Sequence, residues 1–211
     1  METSWSDWSR FGVKELSNVP EKEGVYQFRC VDGIVCIMNK GKVAQIGTPL
    51  EVYRNPADTF VASFLGSPPV NLLPGIVSMV DGPVVNVGGN TLILKRYDPG
   101  ILADYVNRPI IFGIRPENIY ITPPLRGNAN FGKIPAKVTA VSPLGSETLL
   151  ILRFDGIKKE VIAKIGSENN PKINDRLLIF LDLDAADLYD ADTTKAINSR
   201  QHYEEKIGCR F

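Results

Sequence analysis

The chain has 211 residues, of which 44% are hydrophobic and 23% are charged, and its 24 basic and 24 acidic side chains give a formal net charge of zero. This length and composition allow one good hydrophobic core or two small ones. The balanced charge gives no general attraction for nucleic acid, so we expect no nucleic-acid partner. No apolar run reaches the roughly 20 residues that a membrane-spanning helix needs, so any membrane role would come through a partner.

The three cysteines, Cys30, Cys36 and Cys209, do not have the spacing of a metal site. A disulfide between Cys30 and Cys36 is conceivable. The odd count and the lack of a signal peptide favour reduced thiols instead, so we expect a soluble cytoplasmic protein.

The first elements are predicted around residues 20–47. Both tryptophans lie before them, and VPEKEGVYQFRCVDG predicts a turn followed by a strand. Two short apolar runs on either side of Asn39-Lys40-Gly41 then predict a β-hairpin.

Two short helices are predicted next. Thr48, Pro49 and Glu51 have the order of an N-cap, a first-turn proline and a capping-box glutamate, and Asn55-Pro56 ends that helix. A second helix follows in ADTFVASFLG. Its apolar face is predicted to comprise Phe60, Val61, Phe64 and Leu65, with Gly66 closing the helix.

From residue 68 onward, short apolar runs alternate with turn signals, which predicts a small β-barrel or sandwich. DPGILADYV is the one helix predicted among these strands, and NSRQHYEEKIGCRF is predicted to be a polar, frayed tail. A weak internal repeat is visible, because LLPGIVSMV with VVNV and KIPAKVTAVSPLG with ETLLILRF are both strand–turn–strand units. The predicted strands are LLPGIVSMV, PVVNVGG, TLILKR, PIIFGIRPENIYI, IPAKVTAVSPLG, ETLLILRFDG, KKEVIAKI and DRLLIFLDL.

Little in the chain resembles catalytic machinery. His202 is the single histidine and lies in the polar tail, so a catalytic triad or a histidine zinc site has little to build on. The sequence contains no phosphate-binding P-loop, and VGGNT reads as a hairpin turn. The acidic stretch 182–192 lacks the glycine and terminal glutamate of a calcium loop. We therefore predict a solvated acidic turn there, with core anchors at Leu183, Leu188 and Tyr189.

Two short segments are candidate regulatory or contact sites. Arg115 and Glu117 flank Pro116 at the end of a predicted buried strand, where they form either a local ion pair or a contact surface. Ser142, Ser146, Glu147 and Thr148 surround Gly145, and this segment is either a turn between strands or an oxyanion-binding turn built from backbone N–H groups. The residue pattern favours the plain turn.

The combination of motifs resembles one family. IVCIMNKGKVAQIGTPLEVYRNPADTFVASFLGSPPVNLLPG is similar to the end of the nucleotide-binding domain of maltose-type ABC importer ATP-binding subunits. The later segments GIRPENIYI, AKVTAVSPLGSETLLIL and LDLDAADLYDADTTKAI resemble the TOBE-type regulatory domain of that family. The resemblance covers residues 34–196 and implies a mainly β chain with a small α/β N-terminal part and an OB-like (TOBE/MOP-like) barrel.

The resemblance also implies a domain organisation. Residues 1–33 would be a segment outside the family, 34–67 the tail of the nucleotide-binding domain, 68–196 the regulatory barrel and 197–211 a polar tail. Val61, Phe64 and Leu65 would pack the last helix of the ATPase domain. Gly66, Ser67 and Pro68 would form the domain junction.

By the same resemblance the partners would be a second copy of the chain, membrane permease subunits with an external binding protein, and a possible regulatory protein. The chain would then lie at the inner face of the cell membrane through those partners. The family uses ATP and magnesium. The Walker A lysine, Walker B carboxylates, signature loop and switch histidine are absent here, so we predict no ATP hydrolysis, no catalytic residue, no cofactor and no metal for this polypeptide.

Two alternative functions stay open. One is a stand-alone barrel that binds an oxyanion or another small ligand at the Gly145 turn. The other is a remnant of a GIY-YIG nuclease, because VPEKEGVYQFR resembles the first strand of that family with Gly24-Val25-Tyr26 as its first motif. The matching second motif is at best AQIG, which lacks the tyrosine.

Overall fold

A computed structural model of the chain describes residues 25–29, 33–40, 42–124 and 129–197, with only the backbone described for 25–29. The chain divides into two compact units, the first ending at Leu65 and the second beginning at Gly66. The four segments drawn from the sequence stay predictions. No helix among the described residues is long and apolar enough to span a membrane.

The first unit contains a three-stranded antiparallel sheet and two short helices. Its strands are β1 (Val25–Arg29), β2 (Val35–Asn39) and β3 (Lys42–Gly47), in the order β1-β2-β3, and its helices are α1 (Pro49–Arg54) and α2 (Thr59–Phe64). The predicted hairpin is confirmed, because Asn39 pairs with Lys42 and Lys40 has the positive φ of 48° that such a tight turn needs.

The predicted capping box of α1 is also confirmed. Thr48 Oγ1 accepts a hydrogen bond from the Glu51 backbone N–H at 3.3 Å, and Glu51 Oε2 accepts one from the Thr48 N–H at 3.0 Å. The helix ends at Asn55, as predicted. The turn that follows is held by Gln45, whose Nε2 donates to the Asn55 carbonyl at 2.9 Å and whose Oε1 accepts from the Ala57 N–H at 2.8 Å.

One part of the predicted α2 face is wrong. Val61 is fully buried with Val35, Ile37 and Val52, but Phe64 is 37% exposed. Phe64 is the last residue of the six-residue helix, and its ring stacks on that of Phe60 at a centroid distance of 6.1 Å. Phe64 therefore lies outside the small core that Val61 enters.

The second unit is built from ten antiparallel strands within the described residues. The helix predicted in DPGILADYV is present as α3 (Pro99–Leu102), which continues into a 3₁₀ turn over Ala103–Tyr105. The strands are β4 (Asn71–Met79), β5 (Pro83–Val87), β6 (Asn90–Ile93), β7 (Pro109–Ile114), β8 (Ile119–Tyr120), β9 (Phe131–Pro143), β10 (Glu147–Phe154), β11 (Glu160–Gly166), β12 (Arg176–Asp182) and β13 (Asp187–Asp190).

These strands form two repeats that exchange one strand. The first repeat (β4–β8) forms the order β7-β4-β5-β6, and the second repeat (β9–β13) forms the equivalent order β12-β9-β10-β11. The fifth strand of each repeat pairs in the sheet of the other: β8 pairs with β12, and β13 pairs with β7. The weak repeat in the sequence is thus a structural duplication, and neither sheet is complete without the other repeat.

The two sheets share one hydrophobic core, which explains the alternating pattern of buried residues along β4, β10 and β11. Leu73 and Phe112 enter the core from one sheet, and Ile134 and Leu150 enter it from the other. The exchanged strands contribute Ile119 and Leu188, both almost fully buried. The prediction of a mainly β, OB-like barrel is confirmed.

The acidic stretch 182–192 differs in part from its predicted form. Leu183, Leu188 and Tyr189 are buried, as expected of core anchors. However, Asp187–Asp190 is the strand β13 rather than part of a solvated turn. Gly113 makes room for the ring of Tyr189, since a Cβ at Gly113 would lie 2.8 Å from Tyr189 Cε2. The pairing with β7 therefore overrides the turn-like composition.

Equivalent turns of the two repeats touch each other through two glycines. Gly88 lies in the turn between β5 and β6, and Gly156 lies in the turn between β10 and β11; their φ angles are +60° and +80°. A Cβ at Gly156 would approach the backbone oxygen of Gly88 to 1.9 Å. Neither an L side chain at this φ nor a methyl group in this gap can be accommodated without backbone movement.

We expect Gly156→Ala to lower the free energy of unfolding by about 2 to 5 kcal/mol, combining a positive-φ cost with overpacking against backbone. Gly89→Ala is the matched control, because Gly89 also has a positive φ of +86° but has nothing within 4 Å of the added Cβ; it should cost only about 1 to 2 kcal/mol. Urea denaturation measures both, and equal losses would contradict the proposed turn-to-turn contact.

Candidate functional site

Arg115, Pro116 and Glu117 lie where β7 ends and the chain turns toward β8. Pro116–Asn118 forms a 3₁₀ turn, in which the Asn118 N–H donates to the Arg115 carbonyl at 3.0 Å. Arg115 is only 7% exposed, Pro116 is buried, and Glu117 is half-buried. The burial of the Arg115 side chain favours a structural role in the strand exit over a broad contact surface.

Asn71 is a buried polar residue at the same end of the sheet that sequence reasoning did not single out. Its Nδ2 donates to the Ile114 carbonyl at 3.1 Å and to the Ile162 carbonyl at 2.8 Å, and its Oδ1 accepts from the Ile162 N–H at 2.8 Å. The available signal was its place as the last residue of GSPPVN within the family-like segment. Its partner Ile162 is 91 positions away, so the contact itself had no local signature.

Gly145, Ser146 and Glu147 belong to the hairpin between β9 and β10. The Leu144 N–H donates to the Glu147 carbonyl at 2.8 Å, and Gly145 adopts a φ of +93°. Gly145 and Ser146 are exposed, and the neighbouring Leu144 is 58% exposed. The sequence therefore located an exposed turn but missed the apolar side chain at its tip.

The charges beside this hairpin do not favour an anion. Glu147 is the first residue of β10, next to the turn, and pairs with Lys164, with Oε1 to Nζ at 3.1 Å. Because this lysine is already opposed by a carboxylate, an oxyanion at the Gly145 backbone would meet the charge of Glu147. The buried Arg115 segment and the exposed Gly145 hairpin are thus two different kinds of site.

The predicted junction residues lie at the start of the second unit. Gly66 and Ser67 are exposed, and the Ser67–Pro68 peptide bond is cis. No group of three or more potential metal-ligating His, Cys, Asp or Glu side chains occurs among the described residues. His202, the nuclease-like Gly24 and the possible Cys30–Cys36 disulfide lie wholly or partly outside the described residues, while Tyr26 is in β1.

A small electrostatic cluster lies where β13 ends. Hydrogen bonds from the backbone N–H and hydroxyl of Thr193, at 2.7 and 3.0 Å, lower the pKa of the Asp190 carboxyl. Burial, with the nearby charge of Asp190, raises the pKa of the Tyr105 hydroxyl. These hydrogen bonds hold the turn after β13, the strand that completes the sheet of the first repeat.

Comparison with known proteins gives consistent similarities. A family model described as the MalK OB fold domain matches residues 66–119, and a TOBE domain model matches residues 112–189. The chain is 36% identical over 173 residues to the trehalose/maltose import ATP-binding protein MalK of Thermococcus litoralis, covering 77% of this chain and 44% of that protein. It is also 36% identical over 159 residues to the sn-glycerol-3-phosphate import ATP-binding protein UgpC of Yersinia pestis, covering 75% of this chain and 41% of that protein.

A third relative is the oligosaccharides import ATP-binding protein MsmX of Bacillus subtilis, at 30% identity over 161 residues, covering 75% of this chain and 43% of that protein. The chain thus spans about two fifths of the length of the curated relatives it matches. Among solved structures, the molybdate-bound form of the cytoplasmic molybdate-binding protein ModG aligns with a TM-score of 0.42 at 13% identity, over 56% of this chain and 94% of that one. A likeness at that level decides nothing about ligands.

The burial difference between the two candidate segments gives a direct test. Arg115→Ala removes a buried stem and its polar interactions, and we expect it to lower the free energy of unfolding by about 2 to 4 kcal/mol. Glu147→Gln breaks a partly exposed ion pair and should cost less than about 1 kcal/mol. Thermal denaturation monitored by circular dichroism compares them, and an Arg115→Ala protein as stable as the parent would contradict the structural role.

The turn after β13 should depend on pH. Because the folded-state pKa of Asp190 lies below its unfolded value of about 3.9, its stabilisation is present above that pH and is lost as the pH falls through the folded pKa. We expect the Thr193 amide resonance to follow this carboxyl titration in NMR spectra. In Asp190→Asn that titration should vanish. An Asp190 pKa at or above 3.9 would contradict the hydrogen-bonded turn.

Proposed function

Because the chain carries the MalK OB fold domain and the TOBE domain of ABC importer ATP-binding subunits, we propose that it acts as the regulatory and dimerisation part of such a subunit, serving import of sugars or related solutes. The observation that supports the proposal is that both domain models match the second unit of the chain. In that unit the two repeats share a single core. Such a unit can act by association without any chemistry of its own.

The proposed contact with a second copy uses the tip of the β9–β10 hairpin. Leu144 is the most exposed large side chain of that hairpin, at 58%, and Gly145 and Ser146 beside it are small and exposed. An apolar side chain on a tightly turned hairpin can insert into a partner at low conformational cost. The burial of Arg115 and Pro116 favours a role in the fold over a role in this contact.

The remaining partners follow from the family. Through a nucleotide-binding part of the subunit, the chain would associate with membrane permease subunits at the inner face of the membrane, while the barrel offers a surface to a regulatory protein. No P-loop sequence, the motif that cradles the phosphates of ATP, is present in residues 1–211. We propose no catalytic residue, cofactor or metal for it.

Self-association of the whole chain tests the proposal directly. We expect sedimentation equilibrium of the whole chain to show a reversible dimer at micromolar concentration. Leu144→Asp should weaken dimerisation at least about tenfold, because it places a charge in the contact. A strict monomer up to 100 times higher concentration would count against self-association.

Ile173→Asp is the matched control. Ile173 is exposed to a similar extent, 57%, but lies in the loop before β12 rather than on the hairpin. If Ile173→Asp and Leu144→Asp weaken the dimer equally, the contact is not specific to the hairpin. If neither has an effect while the parent chain dimerises, another surface forms the dimer.

A further inference from the structure

The two sheets of the second unit meet at two seams that have no strand ladder. At the first seam, β11 of the second repeat lies beside the 3₁₀ turn Pro116–Asn118 and β8, and Asn71 at the start of β4 bonds to its edge; at the second, β6 of the first repeat lies beside β9 of the second repeat. The sheet orders place β11 and β6 as the last strand of their respective sheets. Unpaired backbone groups at such edges need other partners if they are buried.

An asparagine lies at each seam, at equivalent places in the repeats. Asn71 is the first residue of β4 and pairs with Ile114, the last residue of β7. Asn130 directly precedes β9, and its carbonyl accepts from the Leu183 N–H, just beyond the end of β12. Both asparagines are buried, at 7% and 8% exposure.

Each asparagine side chain reaches across to the edge strand of the other repeat. The Asn71 amide makes a paired contact with Ile162 of β11, accepting its N–H and donating to its carbonyl, both at 2.8 Å. The Asn130 Nδ2 donates to the carbonyl of Ile93 in β6 at 2.6 Å. A side-chain amide has the same donor and acceptor groups as a peptide unit, so it can replace one residue of a neighbouring strand.

A cationic side chain reinforces each seam in the same crosswise way. Lys159 in the second repeat donates through Nζ to the Leu72 carbonyl at 3.0 Å, across the first seam. Arg96, just after β6, donates to the Asp184 carbonyl of the second repeat at the second seam, and it also pairs with Asp187 of β13 at 3.2 Å. The two seams are therefore built alike, although only Asn71 offers both a donor and an acceptor to its edge strand.

We propose that Asn71 and Asn130 are paired closure residues of the barrel, and that the Asn71 seam is a line along which the barrel can open locally while its ladders stay intact. Pro68 of the junction lies only three residues before Asn71, so this seam is the first hydrogen-bonded closure that follows the junction. The opening couples the start of β4 to the edge of β11. It goes beyond the dimerisation proposed above and does not depend on it.

The parent chain itself gives the first test, by amide hydrogen exchange measured with NMR. Antiparallel pairing alternates, and the Ile162 N–H points to Asn71, so the N–H groups of Ile162 and Lys164 point away from β10, whereas that of Ala163 faces β10. With Asn71 as acceptor, the Ile162 amide should exchange at least about tenfold more slowly than that of Lys164. Equal rates for these two amides would overturn the proposal.

Asn71→Ala then separates local from global opening. We expect exchange at Ile162 to accelerate on the order of tenfold, because its N–H loses the Asn71 acceptor, while exchange at Ala163 is unchanged. Acceleration at Ala163 by the same factor would mean global unfolding and would overturn the seam as a local opening line.

Asn86→Ala is the control, because Asn86 Oδ1 accepts only from the Gly89 N–H within its own turn, at 2.9 Å. It should leave Ile162 unchanged. Sedimentation of the same samples keeps the two proposals apart: a monomeric parent chain with a protected Ile162 amide would reject the dimer and retain the seam, and a dimer with an unprotected Ile162 amide would do the reverse.

Discussion

The second unit depends on the exchange of two short strands. β8 has two residues and β13 has four, so neither could pair stably as an isolated strand. Each is held because it completes the sheet of the other repeat and places Ile119 or Leu188 in the shared core. Removing either strand would expose a ladder edge and apolar surface together. The duplicated halves are therefore interdependent parts of one folding unit.

The same constraint accounts for the polar and glycine residues that seem unrelated in the sequence. Two sheets that share a core must approach closely at equivalent turns, which requires Gly88 and Gly156 where backbone meets backbone. They must also satisfy buried backbone groups where the ladders stop, which is done by Asn71 and Asn130. These two buried asparagines thus join the sheets.

Sequence reasoning succeeded where the determinants are local. The Thr48–Glu51 capping box, the hairpin at Lys40 and most strands of the barrel follow from residues within a few positions of one another. Residues that act over long sequence separations were missed, because a lone asparagine such as Asn71 gives no sign of a partner 91 positions away. β13 was obscured for a different reason: its acidic composition indicates a turn, whereas its pairing with β7 is decided by tertiary structure. The N-cap Asp58 could have been recognised by its type and its place before Val61.

The positions and partners of the polar groups in this barrel favour one kind of proposed regulation over another. The carboxylate and the lysine nearest the Gly145 turn are paired with each other, and the buried asparagines bond to backbone across the seams. A small anion at that turn would meet the Glu147 carboxylate, whose charge opposes binding. An apolar contact at the β9–β10 hairpin leaves that ion pair in place, because Leu144 already projects into solvent. The association through exposed turns that we propose would leave the core and both seams unchanged.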